Sequence, residues 1–497
     1  MNHDAPLPDR VSRAMLVSAC LLQIVLGTAL AFTHLPLSDE GFYGVPAHVF
    51  SITGSLQNPV IESAGVNSLR GIDQNFYWAA PLGMVLQAGA FKIFGFGLLV
   101  QRALSLLGGL GAVLLWNQAL RRLVGDRIAA LAAVLLSADF VFISVSSRGR
   151  SDMISLFFAM AALAAYMHFR ERRLALAFAV ASTACALSGM VHPNGGIAAI
   201  LSLVVLTFYL DRTRLQWRHL TVVAICFGAV GAAWGLYIAK APDLFAAQFF
   251  GNLATRLGGP MTITGLVKGE VTRYLSAWGL QDARGVRLLR YLLPIADLAA
   301  ILFCALSKDL RRRSGVLLLM FAAVSLSLVV LEGAKQGWYL VHLTPLFAAF
   351  VAISANYLWE SGNLLARMVT AAQVAIVLLG VASIAFTAST RSFQRLYTPT
   401  VAFLNASVGP QDLVMARSEF YFGLHCRACL RDDENLGALS GRRANYIVFE
   451  RDYDTHLTRL QQTNPAIYRD IQQRLTTEYS EVYRNSTYRV LQRKTGF

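Results

Sequence analysis

One stretch decides how the whole chain is arranged: YWAAPLGMVLQAGAFKIF, residues 77–94. It is apolar and nearly as long as the ~20 residues that a helix needs to cross a membrane. However, Pro81, Gln87 and Lys92 interrupt it, and its first residues, Tyr77 and Trp78, are of types enriched at membrane interfaces. Whether this stretch spans a membrane or lies along its surface sets the side of every loop that follows.

The composition of the rest of the chain is that of a polytopic membrane protein. Of its 497 residues, 55% are hydrophobic and 15% are charged, whereas soluble proteins keep about a quarter of their residues charged. The first apolar run is too long for the core of a signal peptide, so we interpret it as a retained helix. Eleven runs besides 77–94 are candidate spans: 11–33, 99–120, 128–146, 153–169, 174–191, 196–210, 220–239, 289–306, 315–331, 338–358 and 367–387.

The basic residues favour a surface position for residues 77–94. If this stretch does not span, the short loops on one side hold only Arg148, Arg150 and Lys335. The loops on the other side are strongly basic, as the positive-inside rule requires. They contain Arg10, Arg13, Arg121, Arg122, Arg127, Arg170, Arg172, Arg173, Arg212, Arg214, Arg218, Lys308, Arg311, Arg312, Arg313 and Arg367. We therefore predict about eleven spans, and we attribute most of the net charge of +15 to orientation rather than to nucleic-acid binding.

This topology divides the chain into a transmembrane domain, residues 1–389, and an outer domain, residues 390–497. Two large outer loops, 34–98 and 240–288, contain amphipathic stretches expected to lie at the interface. The outer domain is predicted to be a small α/β domain, with strands in Asp412–Ala416, Tyr446–Phe449 and Tyr488–Leu491 and a helix at Pro465–Glu478. Its Cys426 and Cys429 favour a disulfide over a metal pair in an oxidising compartment.

Several polar residues gather at the outer ends of the predicted spans. Each has an ordinary structural explanation as well as a functional one. Asp39 and Glu40 are either functional or solvated loop acids, and Asp152 is either functional or a helix N-cap. His192 precedes a proline and suits a connector, while Lys335 suits a lysine that extends to the headgroups. Convergence of all these residues on one face is what favours an active site. Asp139, near the middle of the third span, is expected to face a polar interior, without an assigned role.

Taken together, the motifs resemble those of the C-type membrane glycosyltransferases, in the branch of lipid A aminoarabinose transferases and protein O-mannosyltransferases. The similarity covers most of the chain to about residue 390. It rests on the order, spacing and sidedness of several motifs: Asp39-Glu40 with Tyr43, the 77–94 segment before Arg102-Ala103-Leu104-Ser105, Arg121 to Arg127, Ser147 to Asp152, Phe249-Phe250 with Arg256, and Lys335 with Tyr339 and Pro345. Asp73 to Phe76 and His192 to Gly195 depart from the family pattern. Both departures lie where donor phosphate or acceptor is handled, so the sugar and the acceptor stay open.

The resemblance implies transfer of a sugar from a polyprenyl-phosphate donor to a lipid, glycan or protein acceptor on the outer face. It implies a bacterial inner membrane, with the active site on the periplasmic side. Asp39 would be the general base, supported by Glu40, and Asp152 would position the acceptor or assist Asp39. The remaining candidates are Lys335, Arg256, Arg148 and Arg150 for donor phosphate, Tyr339 and His342 for the donor site, and Tyr43, His48 and His192 for the acceptor or the pocket.

Three points stay open at the level of sequence. A divalent cation between Asp39 and Asp152 is possible, but cationic side chains could take its place. The main alternative function is a transporter or flippase of lipid-linked sugars, although such proteins usually place functional polar groups near mid-membrane. A lipid-linked scaffold without activity is the third interpretation.

Overall fold

The computed structural model describes residues 9–257, 262–281, 283 and 285–495. Most of these residues are helical. The α-helices are α1 (Asp9–Thr33), α2 (Ser38–Thr53), α3 (Leu82–Phe94), α4 (Leu98–Val124), α5 (Asp126–Ala138), α6 (Phe140–Ser146), α7 (Asp152–Phe169), α8 (Leu174–Val191), α9 (Pro193–Asp211), α10 (Trp217–Ile238), α11 (Pro242–Phe245), α12 (Gly251–Leu257), α13 (Ile263–Ala277), α14 (Leu292–Leu306), α15 (Lys308–Leu331), α16 (Thr344–Ser361), α17 (Leu364–Ser389), α18 (Thr398–Ser407), α19 (Arg451–Thr463) and α20 (Pro465–Glu478).

Among the described residues, nine helices are long and apolar enough to cross a membrane, and the pair α5 and α6 makes a tenth if it counts as one bent span. The two helices of this pair meet at an angle of 63°. The tenth predicted span, 338–358, differs from the prediction. Its first residues form a short 3₁₀ turn, Gly337–His342, and α16 follows with Ser354, Asn356 and Glu360 along its length. These polar residues leave α16 less apolar than the other spans.

The 77–94 stretch contains no helix long enough to span a membrane. Its helical part is α3, whose 13 residues correspond to about 20 Å at 1.5 Å per residue, short of a ~30 Å hydrocarbon layer. Helix α3 packs against α2 and α4 at the outer end of the bundle. Gly83 lies so close to Ser151 that a side chain at residue 83 would collide with the serine side chain. The segment therefore supports the outer loops instead of reversing the topology.

Helix α2 carries the acidic motif of the first outer loop. The Glu40 side chain accepts the backbone N–H of Leu37 at 2.9 Å, which satisfies one of the free donors at the helix start. The helix ends at Gly54, whose φ of 74° is a left-handed conformation that glycine adopts without strain. These two local features fix the length and entry angle of α2.

The tail contains a five-stranded mixed sheet in the order β2-β1-β3-β5-β4. Its strands are β1 (Val414–Met415), β2 (Leu430–Arg431), β3 (Tyr446–Phe449), β4 (Tyr479–Arg484) and β5 (Arg489–Arg493). Strand β1 is parallel to β2 and β3, while β5 is antiparallel to β3 and β4. The predicted strands and helix of the tail are present, and Cys426 and Cys429 form the expected disulfide. The boundary at residue 390 stays a prediction.

The tail packs directly on α2. A side chain at Gly41 would collide with the backbone of Ser418 and Glu419. The Ser418 hydroxyl donates to the Ser38 carbonyl at 3.0 Å, and the Ser38 hydroxyl donates to Asp452 at 3.0 Å. Residues from the beginning and the end of the chain thus meet at the outer end of the helical bundle.

Candidate active site

A cavity of about 430 Å³ lies where the first outer loop, α12, the 3₁₀ turn before α16 and the tail meet. Asp39, Tyr43 and Trp78 line it from the first loop, together with Arg150 and Arg256 from later segments. The tail covers the opposite side. Of the predicted site residues, Asp39, Tyr43, Arg150, Arg256 and Tyr339 line this cavity.

Arg150 joins two of the predicted carboxylates. Its Nη1 forms an ion pair with Asp39 Oδ2, and its Nε contacts Asp152 Oδ2 at 2.8 Å. The Arg150 side chain is buried and lies over the Trp338 ring, 4.3 Å from the ring centroid. Asp152 is also buried, but the Asp39 side chain is 39% exposed. Asp39 is therefore the carboxylate of this trio that a molecule in the cavity can reach.

Glu40 has a different environment from its neighbour Asp39, because consecutive residues of a helix point about 100° apart. It is fully buried and outside the cavity lining. Arg102 donates to both carboxylate oxygens at 2.8 Å, and the Gly149 N–H donates at 2.7 Å. Burial alone raises a carboxyl pKa, but the Arg102 charge and these hydrogen bonds hold the pKa of Glu40 below its ordinary value. Glu40 thus fixes α2 to Arg102, and its role in supporting Asp39 stays a prediction.

Cationic and phenolic groups form another wall of the cavity. Arg256 Nη1 donates to the Tyr339 hydroxyl at 2.7 Å, and its Nε donates to Asn252 at 3.0 Å. Burial lowers the pKa of Arg256, but the nearby Tyr339 and Tyr43 hydroxyls outweigh it and leave the pKa above its usual range. This guanidinium stays charged at any physiological pH. It is the natural partner for an anionic group in the cavity.

Three predicted residues come together under the floor of the cavity. Asp152, His192 and His342 are all buried, and their potential ligand atoms lie within 4.8 Å of one another. The centroid of the His192 ring lies 5.1 Å from that of the Tyr339 ring. Because Tyr339 lines the cavity, the cluster lies directly behind the cavity wall. A metal ion bridging Asp39 and Asp152 does not fit, because the Arg150 guanidinium already lies between these two carboxylates. A carboxylate with two imidazoles does fit a divalent cation.

Three other predicted residues lie outside the cavity lining. Lys335 pairs with Glu270 at 2.9 Å and lines a separate groove, so its role in binding donor phosphate stays a prediction. Arg148 is close enough to Glu40 and Arg102 for their charges to act on it, and burial lowers its pKa. His48 bonds the Tyr421 hydroxyl at 3.1 Å and belongs to the contact between loop and tail.

The groove beside Lys335 is almost entirely apolar and has a volume of about 310 Å³. Its lining comes from α12, α13 and the outer end of α15, including Leu257, Leu266 and Val330. The groove and the cavity are neighbours, since the Gly333 N–H donates to the carbonyl of Arg256 at 2.7 Å. An amphiphile with its headgroup in the cavity would find an apolar surface next to it.

The tail supplies cavity residues that the sequence did not reveal. Arg417, Asp432, Glu434, Asn435 and Arg459 line its outer side. Arg417 contacts Asp432 at 3.2 Å and Glu434 at 2.9 Å, so this charged group is fixed in place. The acidic run 432–434 was the available signal, but nothing in the sequence tied it to a loop almost 400 residues earlier.

Asp139 proves to be a helix cap rather than a mid-span charge in a continuous helix. Its side chain accepts the Phe142 N–H at 2.7 Å, at the break between α5 and α6. It shares a cavity of only about 60 Å³ with Asp297, Thr344 and Gln373. The rest of the lining is apolar, so the polar interior expected around Asp139 is limited to these few side chains.

Comparison with known proteins gives no match to a family model and no match among curated protein sequences. Solved structures do match. The crystal structure of ArnT from Cupriavidus metallidurans bound to undecaprenyl phosphate shares 15% identity over 98% of this chain and 99% of that chain, with a TM-score of 0.59.

Two further matches are structures of the oligosaccharyltransferase AglB from Archaeoglobus fulgidus. The complex with an inhibitory peptide and a dolichol-phosphate shares 13% identity over 98% of this chain and 74% of that chain, with a TM-score of 0.56. The complex with Zn and sulfate shares 13% identity over 95% and 72%, also with a TM-score of 0.56. These neighbours are C-type membrane glycosyltransferases. The chain therefore has the polytopic fold of the C-type membrane glycosyltransferases.

Proposed function

We propose that this protein is a glycosyltransferase that moves a sugar from a polyprenyl-phosphate donor to an acceptor at the outer face of the membrane. One observation carries the proposal. A partly exposed carboxylate, Asp39, is held by a buried arginine on the wall of a cavity that also contains the Arg256–Tyr339 pair. This transfer needs two groups, a base for the acceptor and an anion-binding group for the donor phosphate.

The chemistry follows from these positions. Asp39 takes the proton of an acceptor hydroxyl, and the acceptor oxygen bonds to the anomeric carbon of the sugar. The bond between that carbon and the donor phosphate oxygen breaks, and polyprenyl phosphate leaves with the electron pair. A positioned base contributes about 10²–10⁴-fold, and Arg256 and Arg150 stabilise the charge that develops on the phosphate.

The apolar groove is the proposed path of the prenyl chain. It adjoins the cavity at Arg256 and Gly333, so the donor phosphate would stay near Arg256 while the hydrocarbon chain leaves along the groove. The structural neighbours support this arrangement, because ArnT is bound to undecaprenyl phosphate and AglB to a dolichol-phosphate. Lys335 and its partner Glu270 would stand beside the carrier.

The orientation belongs to the same proposal. With the basic loops inside, the cavity faces outward, and no nucleotide is required there because the sugar arrives on its lipid. We propose a bacterial inner membrane with the cavity on the periplasmic side. The acceptor is a hydroxyl or phosphate of a lipid, glycan or protein.

The transporter alternative has one feature in its favour, the break at Asp139 inside the bundle. The cavity at this break measures about 60 Å³, the volume of roughly two waters at ~30 Å³ each. A sugar does not fit there, and the large cavity lies at the outer surface. The enzyme proposal therefore accounts for more of the structure.

The test uses the purified full chain with a panel of polyprenyl-phosphate sugars and a cell-envelope extract as acceptor. We expect release of free polyprenyl phosphate, falling about 10²–10⁴-fold in Asp39→Asn. Asp243→Asn is the matched control, because Asp243 is an exposed aspartate of the second outer loop that lies outside the cavity lining. Absence of release by the wild-type protein with every donor, or full activity of Asp39→Asn, would contradict the proposal. Movement of intact donor across vesicles without release would favour the transporter.

A further inference from the structure

The cluster under the cavity floor is assembled from the outer ends of three different helices. Asp152 is the first residue of α7, His192 caps α9, and His342 ends the 3₁₀ turn before α16. Their exposed fractions are 1%, 7% and 4%. Potential ligand atoms from all three side chains lie within 4.8 Å of one another.

Several polar atoms of this cluster have no partner among the described residues. They are Asp152 Oδ1 and both ring nitrogens of His342. A buried polar group without a hydrogen-bond partner is unfavourable, so three such atoms in one place have bonding capacity left for a ligand. The remaining oxygen of Asp152 is already used by Arg150 at 2.8 Å.

The chain makes room for this convergence. A side chain at Gly195 would collide with Ser155 and approach the Cε1 atom of His342 to 2.9 Å. Glycine at this position therefore allows α9, with His192 at its start, to pack against the His342 ring. The departure from the family pattern at residues 192–195 supplies both the ligand and the space.

The donor set has the chemistry of a zinc-type site. One carboxylate and two neutral imidazoles are the ligands of many sites that keep a position open. The His192 Nδ1 accepts the Asn194 N–H at 3.3 Å, a long hydrogen bond that coordination of a cation through the same lone pair would replace.

We propose that Asp152, His192 and His342 bind a divalent transition-metal cation of the zinc class beneath the cavity floor. Zinc ligands lie about 2.0–2.2 Å from the ion, so binding draws the three side chains inward. The ion contacts Asp152 through Oδ1 and does not contact Asp39. It acts as a positioning group, since Asp152 orients Arg150 and Arg150 holds Asp39. This positioning role rests on the proposed function, but metal binding itself does not.

The metal content of the purified full chain tests the proposal. After treatment with a chelator, the protein is loaded with Zn²⁺ or Co²⁺, and bound metal is counted by mass spectrometry. We expect about one ion per wild-type chain and Co²⁺ absorption bands of a site with nitrogen and oxygen ligands. His342→Ala should bind at least about 100-fold more weakly, because loss of even an outer partner of a ligand costs 10–100-fold.

His219→Ala is the matched control for His192→Ala. His219 is also a buried histidine at a helix start whose ring accepts a backbone N–H, that of Gln216 at 3.0 Å, but it lies outside the cluster. We expect His219→Ala to keep the ion and His192→Ala to lose it. Zn²⁺ should raise the thermal unfolding temperature of wild type and His219→Ala, but not of His192→Ala or His342→Ala.

Failure of this inference and failure of the proposed function give different results. A wild-type protein that binds no metal and shows no Zn²⁺-dependent change in unfolding temperature overturns the metal site, whatever its transfer activity. Asp39→Asn should keep the ion while losing transfer. A wild-type protein with one ion and no transferase activity overturns the proposed function and leaves the metal site in place.

Discussion

A buried aspartate lies near each end of the contact between helices α7 and α9, and the two ends differ. At the inner end, Asp211 accepts hydrogen bonds from Tyr166 at 2.9 Å, from Arg170 at 2.7 Å and from Arg214 at 2.8 Å. At the outer end, Asp152 has one oxygen without a partner among the described residues, and the adjoining Asp39 is partly exposed to a cavity.

The difference distinguishes charged groups whose hydrogen bonds are all made within the fold from charged groups that can still bind another molecule. The inner aspartate is saturated, because both oxygens are bonded and the residue is inaccessible to solvent. The outer group has a carboxylate oxygen on Asp152 without a partner among the described residues and a partly exposed carboxylate on Asp39. Burial and an arginine partner are common to both, so neither property alone identifies a functional site.

The largest expected effect comes from altering the outer end at Arg150. Arg150→Lys keeps a positive charge but loses the fork that reaches Asp39 and Asp152 together. We expect transfer to fall about 10³-fold, ~4 kcal/mol in the barrier. Single-turnover rates with a saturating donor measure this effect, with Arg459→Lys, an arginine of the tail side of the same cavity, as control. A loss below tenfold would remove Arg150 from the machinery.

The inner end should give the opposite result. Asp211→Asn removes the shared partner of Arg170 and Arg214 and should lower the free energy of unfolding by about 2–3 kcal/mol, less than a fully buried pair because both arginines are partly exposed. Thermal unfolding in detergent measures the loss. Transfer per folded molecule should stay at the wild-type rate. A tenfold drop in that rate would show that the two ends are coupled.

Disrupting the contact between α2 and the tail tests whether the outer site requires the tail to be held rigidly over the cavity. Gly41→Ala introduces a methyl group against the backbone of Ser418 and Glu419, at an expected cost of about 1–2 kcal/mol. We expect faster limited proteolysis of the tail and a severalfold loss of transfer. Gly89→Ala is the control, because a side chain there meets open space. Unchanged proteolysis and activity in Gly41→Ala would mean that the tail adjusts freely.

Lys335 should show the smallest effect, because it already forms an ion pair with Glu270. Asp211 is paired with its two arginines in the same way. Lys335→Met should raise the KM for the polyprenyl-phosphate donor about twofold, ~0.4 kcal/mol, with little change in kcat. Lys268→Met, at the same groove, controls for loss of a positive charge. If kcat falls instead, Lys335 acts on the reacting phosphate rather than on the carrier.

Most of the helical arrangement could be predicted because the basic residues of the loops indicate the orientation of the spans. The short helix α3 and the strands of the tail followed from composition and periodicity. The break at Asp139 could not, since a polar residue in an apolar run does not show that it caps a new helix. Pro345, in the first turn of α16, was the signal that the predicted span 338–358 begins too early.

The candidate site was predicted only as a set of residue types on one face. Sequence could not separate Asp39 from Glu40, because neighbouring acids look alike until Arg102 is seen to bond one of them. The sequence also could not identify the tail residues that line the cavity, because contacts between residues hundreds of positions apart leave no local sequence pattern. The metal expectation paired Asp152 with Asp39, whereas the structure groups Asp152 with His192 and His342.

The hydrogen bond from Ser38 to Asp452 joins residues 414 positions apart, beside the cavity. During synthesis, the helix that carries Asp39 therefore reaches the membrane long before the segment that closes over it. Under the proposed function, a chain truncated before Asp452 would have an incomplete pocket and would not consume the lipid-linked donor. Transfer would then depend on the tail being in place over α2.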